Sequence, residues 1–285
     1  MSKSAKCWFT LLGLTVLASP TVVAGEPARP IRALLVTGGC CHDYKNQNGL
    51  LTRGLSRRAN IQWTIAYDPD TTTRHKNPIY DQPDWSKNFD VIIHDECSSD
   101  VNDMSVIETI LQPHKNGLPA VILHCGMHSY RTEGWNRQFA TPWMQFTGLI
   151  STGHGPQQPI AVKFVDKNHP ITRDLGDWTT IDEELYNNAS GKLEPTAHAL
   201  AIGSQVYTLF PRKDGKDDRT VPGKEITDKA VVAWTNTYNG TTKVFATTLG
   251  HNNATVDDPR YLDLVTRGLL WSLGKLDAVH IKAVE

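Results

Sequence analysis

IRALLVTGGCCHDY, residues 31–44, decides the fold: an almost continuously apolar run, 31–37, reaches Gly38-Gly39 and passes straight into a polar segment. An apolar run of that length without alternation is a strand buried on both faces, the habit of parallel sheets. The paired glycines let the backbone turn sharply and bring Cys41, His42 and Asp43 to the rim of whatever lies at the strand's end. A phosphate loop would need a third glycine at the proper spacing or a following Lys-Ser/Thr, and this stretch has neither.

The pattern recurs downstream. Residues 50–59 fit a short helix and 61–66 a second strand, whereas 69–85 carries prolines and little periodicity and reads as a loop. FDVIIH (89–94) is the next strand, a helix over 103–116 ends at Gly117, and PAVILH (119–124) runs directly into Cys125-Gly126-Met127-His128. Strands alternating with helices at this spacing need crossover connections. The first half is therefore a flavodoxin-like α/β unit, a mostly parallel sheet with helices on both faces. From about residue 150 the apolar runs shorten to 160–165, 197–202, 206–209, 231–234 and 243–248, which read as strands of a more antiparallel C-terminal extension. Residues 211–229, rich in charge, Gly and Pro, read as a solvated surface excursion. A helix over 259–273 closes the chain, with Leu262, Val265, Leu269 and Leu273 marking its buried face.

Ahead of this unit, Lys3 and Lys6 precede an apolar stretch, 8–17, that is short for a bilayer, and Val22 and Ala24 are the small residues a signal peptidase reads. Residues 1–24 are expected to be a cleaved signal peptide and 25–285 a single exported domain, periplasmic or secreted, with a core of about 31–274. Cys7 leaves with the leader. Cys40, Cys41, Cys97 and Cys125 are too few and too scattered to staple a small domain, so an apolar core must hold the fold. A net charge of −1, more acidic once the leader is gone, leaves no basic footprint for nucleic acid or an anionic membrane. The composition is compatible with a homo-oligomer and does not require one.

The chemistry is positional. GGCCHDY (38–44), HDECSSD (94–100) and HCGMHSYR (124–131) each follow a strand, and ligands of open α/β sheets bind outside the carboxyl ends of the strands, so these segments should converge. TGHGPQ (152–157) adds His154 and TTLGHNNAT (247–255) adds His251. A single histidine is more often a structural, hydrogen-bonded residue; clustering at strand ends favours a site. Neutral imidazoles with carboxylates suit a divalent metal such as zinc, and the same groups without metal suit acid/base work near neutral pH; the residues leave both open. Cys125 follows a strand as a nucleophile would, yet His124 precedes it where such turns need a small residue, so a packed thiol is the plainer reading. The adjacent Cys40 and Cys41 bridge only with difficulty, and a packing role in the turn is expected of them.

GGCCHDY, VILHCGMHS (121–129), NHPIT (168–172), DEELY (182–186) and the closing TTLGHNNATVDDPRYLDLVTRGLLWSLG (247–274) resemble the ThuA-like, trehalose-utilisation domain over nearly the whole mature chain. The resemblance implies the flavodoxin-like, class I glutamine-amidotransferase-like fold without that fold's catalytic cysteine. It implies a pocket built from His42, His124, His128, Glu184, Tyr186 and His251, with Glu183 able to exchange roles with Glu184, and with any metal held by His42, His124 and His251. Gly39, Cys41, Asp43, Asp95, Tyr130, His154 and Asn252 complete the expected substrate-contacting rim, and Trp135 helps to grip a sugar. The implied substrate is a small carbohydrate, in pathways where a ring is oxidised at its third carbon and the keto-glycoside is then cleaved. Glu184 or His42 would be the base and His251 the acid or electrophile. Two other readings stand beside this one: a sugar-binding accessory module that lost catalysis, and a cysteine-dependent amidase-like hydrolase.

Overall fold

All of strand β1 (Ile31–Gly39) except Arg32 is buried, as a strand covered on both faces must be. In the computed structural model, which describes residues 29–135, 141–189, 193–277 and 279–282, Ala33 and Leu35 face one apolar cluster and Leu34 and Val36 the other. The expected signal peptide, 1–24, lies outside the described residues. Among the described residues no helix is long and apolar enough to cross a membrane.

After β1 come helix α1 (Tyr44–Arg58), β2 (Ile61–Asp68), β3 (Val91–Cys97), α2 (Met104–Lys115), β4 (Ala120–Leu123) and α3 (Pro142–Thr147). The second half holds β5 (His154–Phe164), β6 (Trp178–Tyr186), β7 (Ala197–Leu209), the small hairpin β8 (Arg212–Lys213) and β9 (Lys216–Asp217), then β10 (Lys224–Tyr238), β11 (Thr242–Thr247), α4 (Asn253–Val256) and α5 (Pro259–Ser272). Among the described residues, one sheet runs in the order β2-β1-β3-β4-β11-β10-β7-β5-β6. Pairing is parallel from β2 to β11 and antiparallel from β11 to β6, so the flavodoxin-like half and its antiparallel extension are both present. Helices α1 and α5 cover one face with Leu51, Leu55, Leu262, Val265 and Leu269, and α2 and α3 cover the other with Ile107, Ile110, Leu111, Trp143 and Phe146. Asp103 and Asp258 cap α2 and α5 by accepting from Ser105 N and Arg260 N, both at 2.8 Å.

Several elements differ from the sequence reading for identifiable reasons. Helix α1 begins at Tyr44, before the apolar pattern does, because its polar first turn is anchored from outside: Gln47 Nε2 donates to His251 O at 2.9 Å. Strand β3 runs through His94-Asp95-Glu96-Cys97 because these polar residues are themselves buried and paired. The runs at 197–202 and 206–209 are one strand, β7. Part of the expected excursion at 211–229 is sheet, since Lys224–Asp228 pairs with Gln205–Leu209. DEELY ends β6, a strand that the apolar runs did not reveal.

Strand β6 is an edge, four strands removed from β11, yet it faces the segment that follows β11. The Glu183 carboxylate accepts backbone N–H groups from Gly250, His251 and Asn252 at 3.2, 3.0 and 3.1 Å. The antiparallel half therefore curls back over the carboxyl ends of the parallel strands, and the space beneath that curl is the site.

Candidate functional site

His42, His124 and His251 arrive from the ends of β1, β4 and β11, and their ring nitrogens can be chosen within 4.8 Å of one another. The rings stand edge to face, with centroids 4.6 Å apart for His42–His124, 4.9 Å for His42–His251 and 5.5 Å for His124–His251. His124 reaches this place through a strained backbone: its φ of 41° is left-handed, at a cost of about 1–2 kcal/mol for an L residue. The sharp turn at the end of β4 thus presents His124, where a nucleophile elbow would present its nucleophile. Gly126 lets that turn pack, since a Cβ there would meet His94 O at 2.6 Å. His124 Nδ1 donates to Thr248 O at 2.5 Å, which fixes the ring and turns Nε2 toward the cluster.

Glu184 faces the imidazoles from β6. Its Oε2 lies 3.3 Å from His251 Nδ1, 3.6 Å from His124 Nε2 and 3.7 Å from His154 Nε2, and its Oε1 accepts from Gln157 Nε2 at 3.3 Å. Burial alone would raise this carboxyl, but hydrogen bonds from His124 and His251 and the charge of His124 and His154 outweigh it and hold the group well below the usual carboxylate range. The contact with Glu184 in turn raises His251, while burial, with repulsion from His124 and His251, pushes His42 down to about 2. His42 is neutral at any physiological pH. One buried nitrogen of the cluster, His42 Nδ1, has no hydrogen-bond partner. Three imidazoles that can bring one ring nitrogen each within 4.8 Å of the others, beside one ionised carboxylate, fit a divalent cation such as zinc, so the donor chemistry agrees with a metal at His42, His124 and His251.

Tyr186 forms the wall behind. Its hydroxyl is 3.3 Å from His124 Nε2, and its ring stacks on His128, with centroids 4.1 Å apart. His128 is buried and paired to Ser151 Oγ at 2.7 Å, so it supports Tyr186 and does not face the opening. His154 lies at the mouth, 41% exposed. Beside it a surface groove of about 480 Å³ is lined by His154, Asn187, Asn188, Tyr207, Asp228 and Lys229, among others.

Other expected site residues lie elsewhere. Asp95 points to the α1 face, buried beside Thr37, whose hydroxyl donates to it at 3.3 Å, and burial pushes its carboxyl up to about 8. Tyr130 is fully buried against Trp143 on the opposite face of the sheet, so it is a core residue and not a sugar contact. Gly39 is filled by backbone, since a Cβ would meet Cys97 O at 2.3 Å. Asn252 gives its amide to Asp182 O, and Asp43 accepts from Asn46 and Asn253 at 2.7 Å, tying α1 to α4 at the rim. Trp135 carries the Arg131 guanidinium 4.2 Å over its ring. Glu183 cannot exchange with Glu184, because its carboxylate is occupied by the 250–252 backbone.

The cysteines also require a correction. Cys40–Cys41 and Cys97–Cys125 are disulfides, so the vicinal pair does more than pack, and Cys125 is not a free nucleophile in this state. That removes the amidase-like reading from the oxidised protein. Gln157, Thr248 and Ser151 are site residues that the sequence did not reveal. Gln157 bridges Glu184 and His251, its Nε2 lying 2.8 Å from His251 Nε2; a register shift in β5 between His154 and Gln157 brings both residues to the mouth, where strict alternation would separate them.

A family model described as Trehalose utilisation, ThuA, matches residues 32–272. No curated protein matches the chain. A ThuA-like protein from Parabacteroides merdae is similar at 18% identity, with a TM-score of 0.58 over 86% of this chain and 90% of that one. Another from Bacteroides uniformis is similar at 17%, with a TM-score of 0.56 over 87% and 95%. At such identities the likeness of structure speaks for the fold, and the match to the family model speaks for descent. The chain belongs to the ThuA family, a membership that points to a role in trehalose utilisation and carbohydrate metabolism.

Proposed function

We propose that this protein cleaves the glycosidic C–O bond of a small glycoside already oxidised at C3, using Glu184 as the base within the imidazole cluster. The observation that carries the reading is the single available carboxylate. Direct glycoside hydrolysis ordinarily uses two, one as acid and one as base or nucleophile. Among the described residues that meet the cluster, Glu184 is held ionised and faces the imidazoles, whereas the neighbouring Glu183 is consumed by three backbone N–H groups. One carboxylate among imidazoles suits removal of a proton next to a carbonyl.

With a 3-keto-glycoside, Glu184 takes the acidified proton from C2. The C1–O bond then breaks, its electron pair leaves with the oxygen, and Glu184 returns the proton to that oxygen. Water adds to the resulting enone at C1 with Glu184 again moving the proton, so the net change is hydrolysis. His42, His124 and His251 would hold a divalent cation, which would supply Lewis acidity to the reaction. Tyr186 and His154 border the reacting ring, and the groove lined by Asn187, Tyr207 and Asp228 accommodates the departing group.

The test is to measure bound metal in the purified protein and then assay stripped and restored forms on 3-keto-glycosides and their unoxidised parents. Restored cleavage of the keto substrates alone supports the proposal. Equal cleavage of the unoxidised parents, or keto-glycoside turnover surviving replacement of both His42 and His251, overturns it. Saturable sugar binding without turnover in any form would instead support the accessory-module reading.

A further inference from the structure

We propose that Cys40, Cys41, Cys97 and Cys125 form a thiol–disulfide relay that carries reducing equivalents from an external dithiol at the surface to a thiol beside His42. This role is independent of glycoside cleavage. Four sulfurs from three separate strand ends lie together, each next to another. Cys41 is exposed and bridged to Cys40, Cys40 Sγ is 3.3 Å from Cys97 Sγ, and Cys97 is bridged to Cys125. Cys40, Cys97 and Cys125 are buried, at 8%, 3% and 7% exposure, so among the described cysteines Cys41 is the one that a reductant meets first. At the inner end, Cys97, Cys125 and His42 can place their donor atoms within 4.8 Å of one another.

A disulfide exchanges when a thiolate attacks one of its sulfurs and expels the other. One thiolate of the external dithiol attacks Cys41 Sγ, forms a mixed disulfide and expels the Cys40 thiolate. Cys40 then attacks Cys97 Sγ, forming Cys40–Cys97 and releasing the Cys125 thiolate. The second thiol of the reductant attacks Cys41's partner sulfur, leaves as a cyclic disulfide and frees Cys41. In sum, one dithiol gives up two electrons and two protons, two protein disulfides become one, and Cys41 and Cys125 are thiols. Cys125 then offers a soft sulfur donor at the edge of the imidazole cluster, which the oxidised form lacks.

The experiment adds one equivalent of dithiothreitol to the oxidised full chain, traps thiols with iodoacetamide and maps the linked peptides. A Cys40–Cys97 link with alkylated Cys41 and Cys125 is expected. Alkylation confined to Cys40 and Cys41 with Cys97–Cys125 intact overturns the relay, as do four free thiols in the unreduced protein. Cys41→Ser supplies a second reading: Cys40, left unpaired, should yield a Cys40–Cys97 population and alkylated Cys125 without any reductant. Retention of Cys97–Cys125 alone in that variant also overturns the proposal.

Discussion

Two histidine clusters flank the same sheet and differ in whether their ring nitrogens are already used. In the interior one, His94 Nδ1 meets Glu96 Oε1 at 2.9 Å, Tyr80 donates to the same oxygen at 2.7 Å, His94 Nε2 meets His114 Nε2 at 3.1 Å, and His114 Nδ1 donates to Leu118 O at 2.7 Å. His94, Glu96 and His114 are wholly buried. Every ring nitrogen there has a partner inside the protein. At the other cluster, the buried His42 Nδ1 lacks one and His154 opens to solvent. A histidine-rich segment is therefore a site when its nitrogens are left over, and a structural network when they are spent.

The sharpest way to break this contrast is Glu184→Gln. Turnover of a keto-glycoside should fall by about 10²–10⁴-fold, the usual worth of a positioned base, with little change in the urea midpoint. Should stability fall and turnover per folded molecule persist, the open cluster is structural too. Glu96→Ala should do the reverse: it strands His94 and Tyr80 in the interior and destabilises by about 3 kcal/mol, read by urea unfolding, while activity per folded molecule stays unchanged.

Asp95 tests the contrast by pH. Its folded-state value, about 8, lies above that of the unfolded chain, so the native state holds a proton that the unfolded state releases. The associated stability is present below the unfolded value near 4 and is lost as pH rises toward 8. Asp95→Asn should flatten that decline in denaturation curves taken across the range; an unchanged slope would mean the carboxyl is ionised in the fold. The smallest effect is expected from His154→Ala. Its partly exposed contact with Glu184 is worth at most about 1 kcal/mol, so KM should rise no more than about fivefold, with kcat nearly constant in steady-state assays.

The strand ends were legible because buried parallel strands read as apolar runs, and His42, His124 and His251 follow such runs directly. Asp95 misled because β3 does not stop where its apolar run stops, and Tyr130 because the chain beyond β4 carries it into the core against Trp143. The pleat of β3 sends Asp95 to the α1 face and His94 and Glu96 to the other, so none of these three faces the imidazole cluster. Sequence could not separate Glu183 from Glu184, since that depends on which face of β6 meets the 250–252 turn. Gln157 was hidden by a bulge, a feature that interrupts the alternation by which a strand is read.

Glu184 hangs from a strand at one margin of the sheet, while the histidines it meets sit near the middle. Their separation is set by the curvature of four intervening strand pairings, each of which ordinarily contributes about 20° of twist. The site thus behaves as the gap of a caliper whose arms are joined by the whole antiparallel half. A substitution in β7 or β10 that touches no ligand could open or close that gap, and a molecule seated in it would stiffen the sheet from its edge inward.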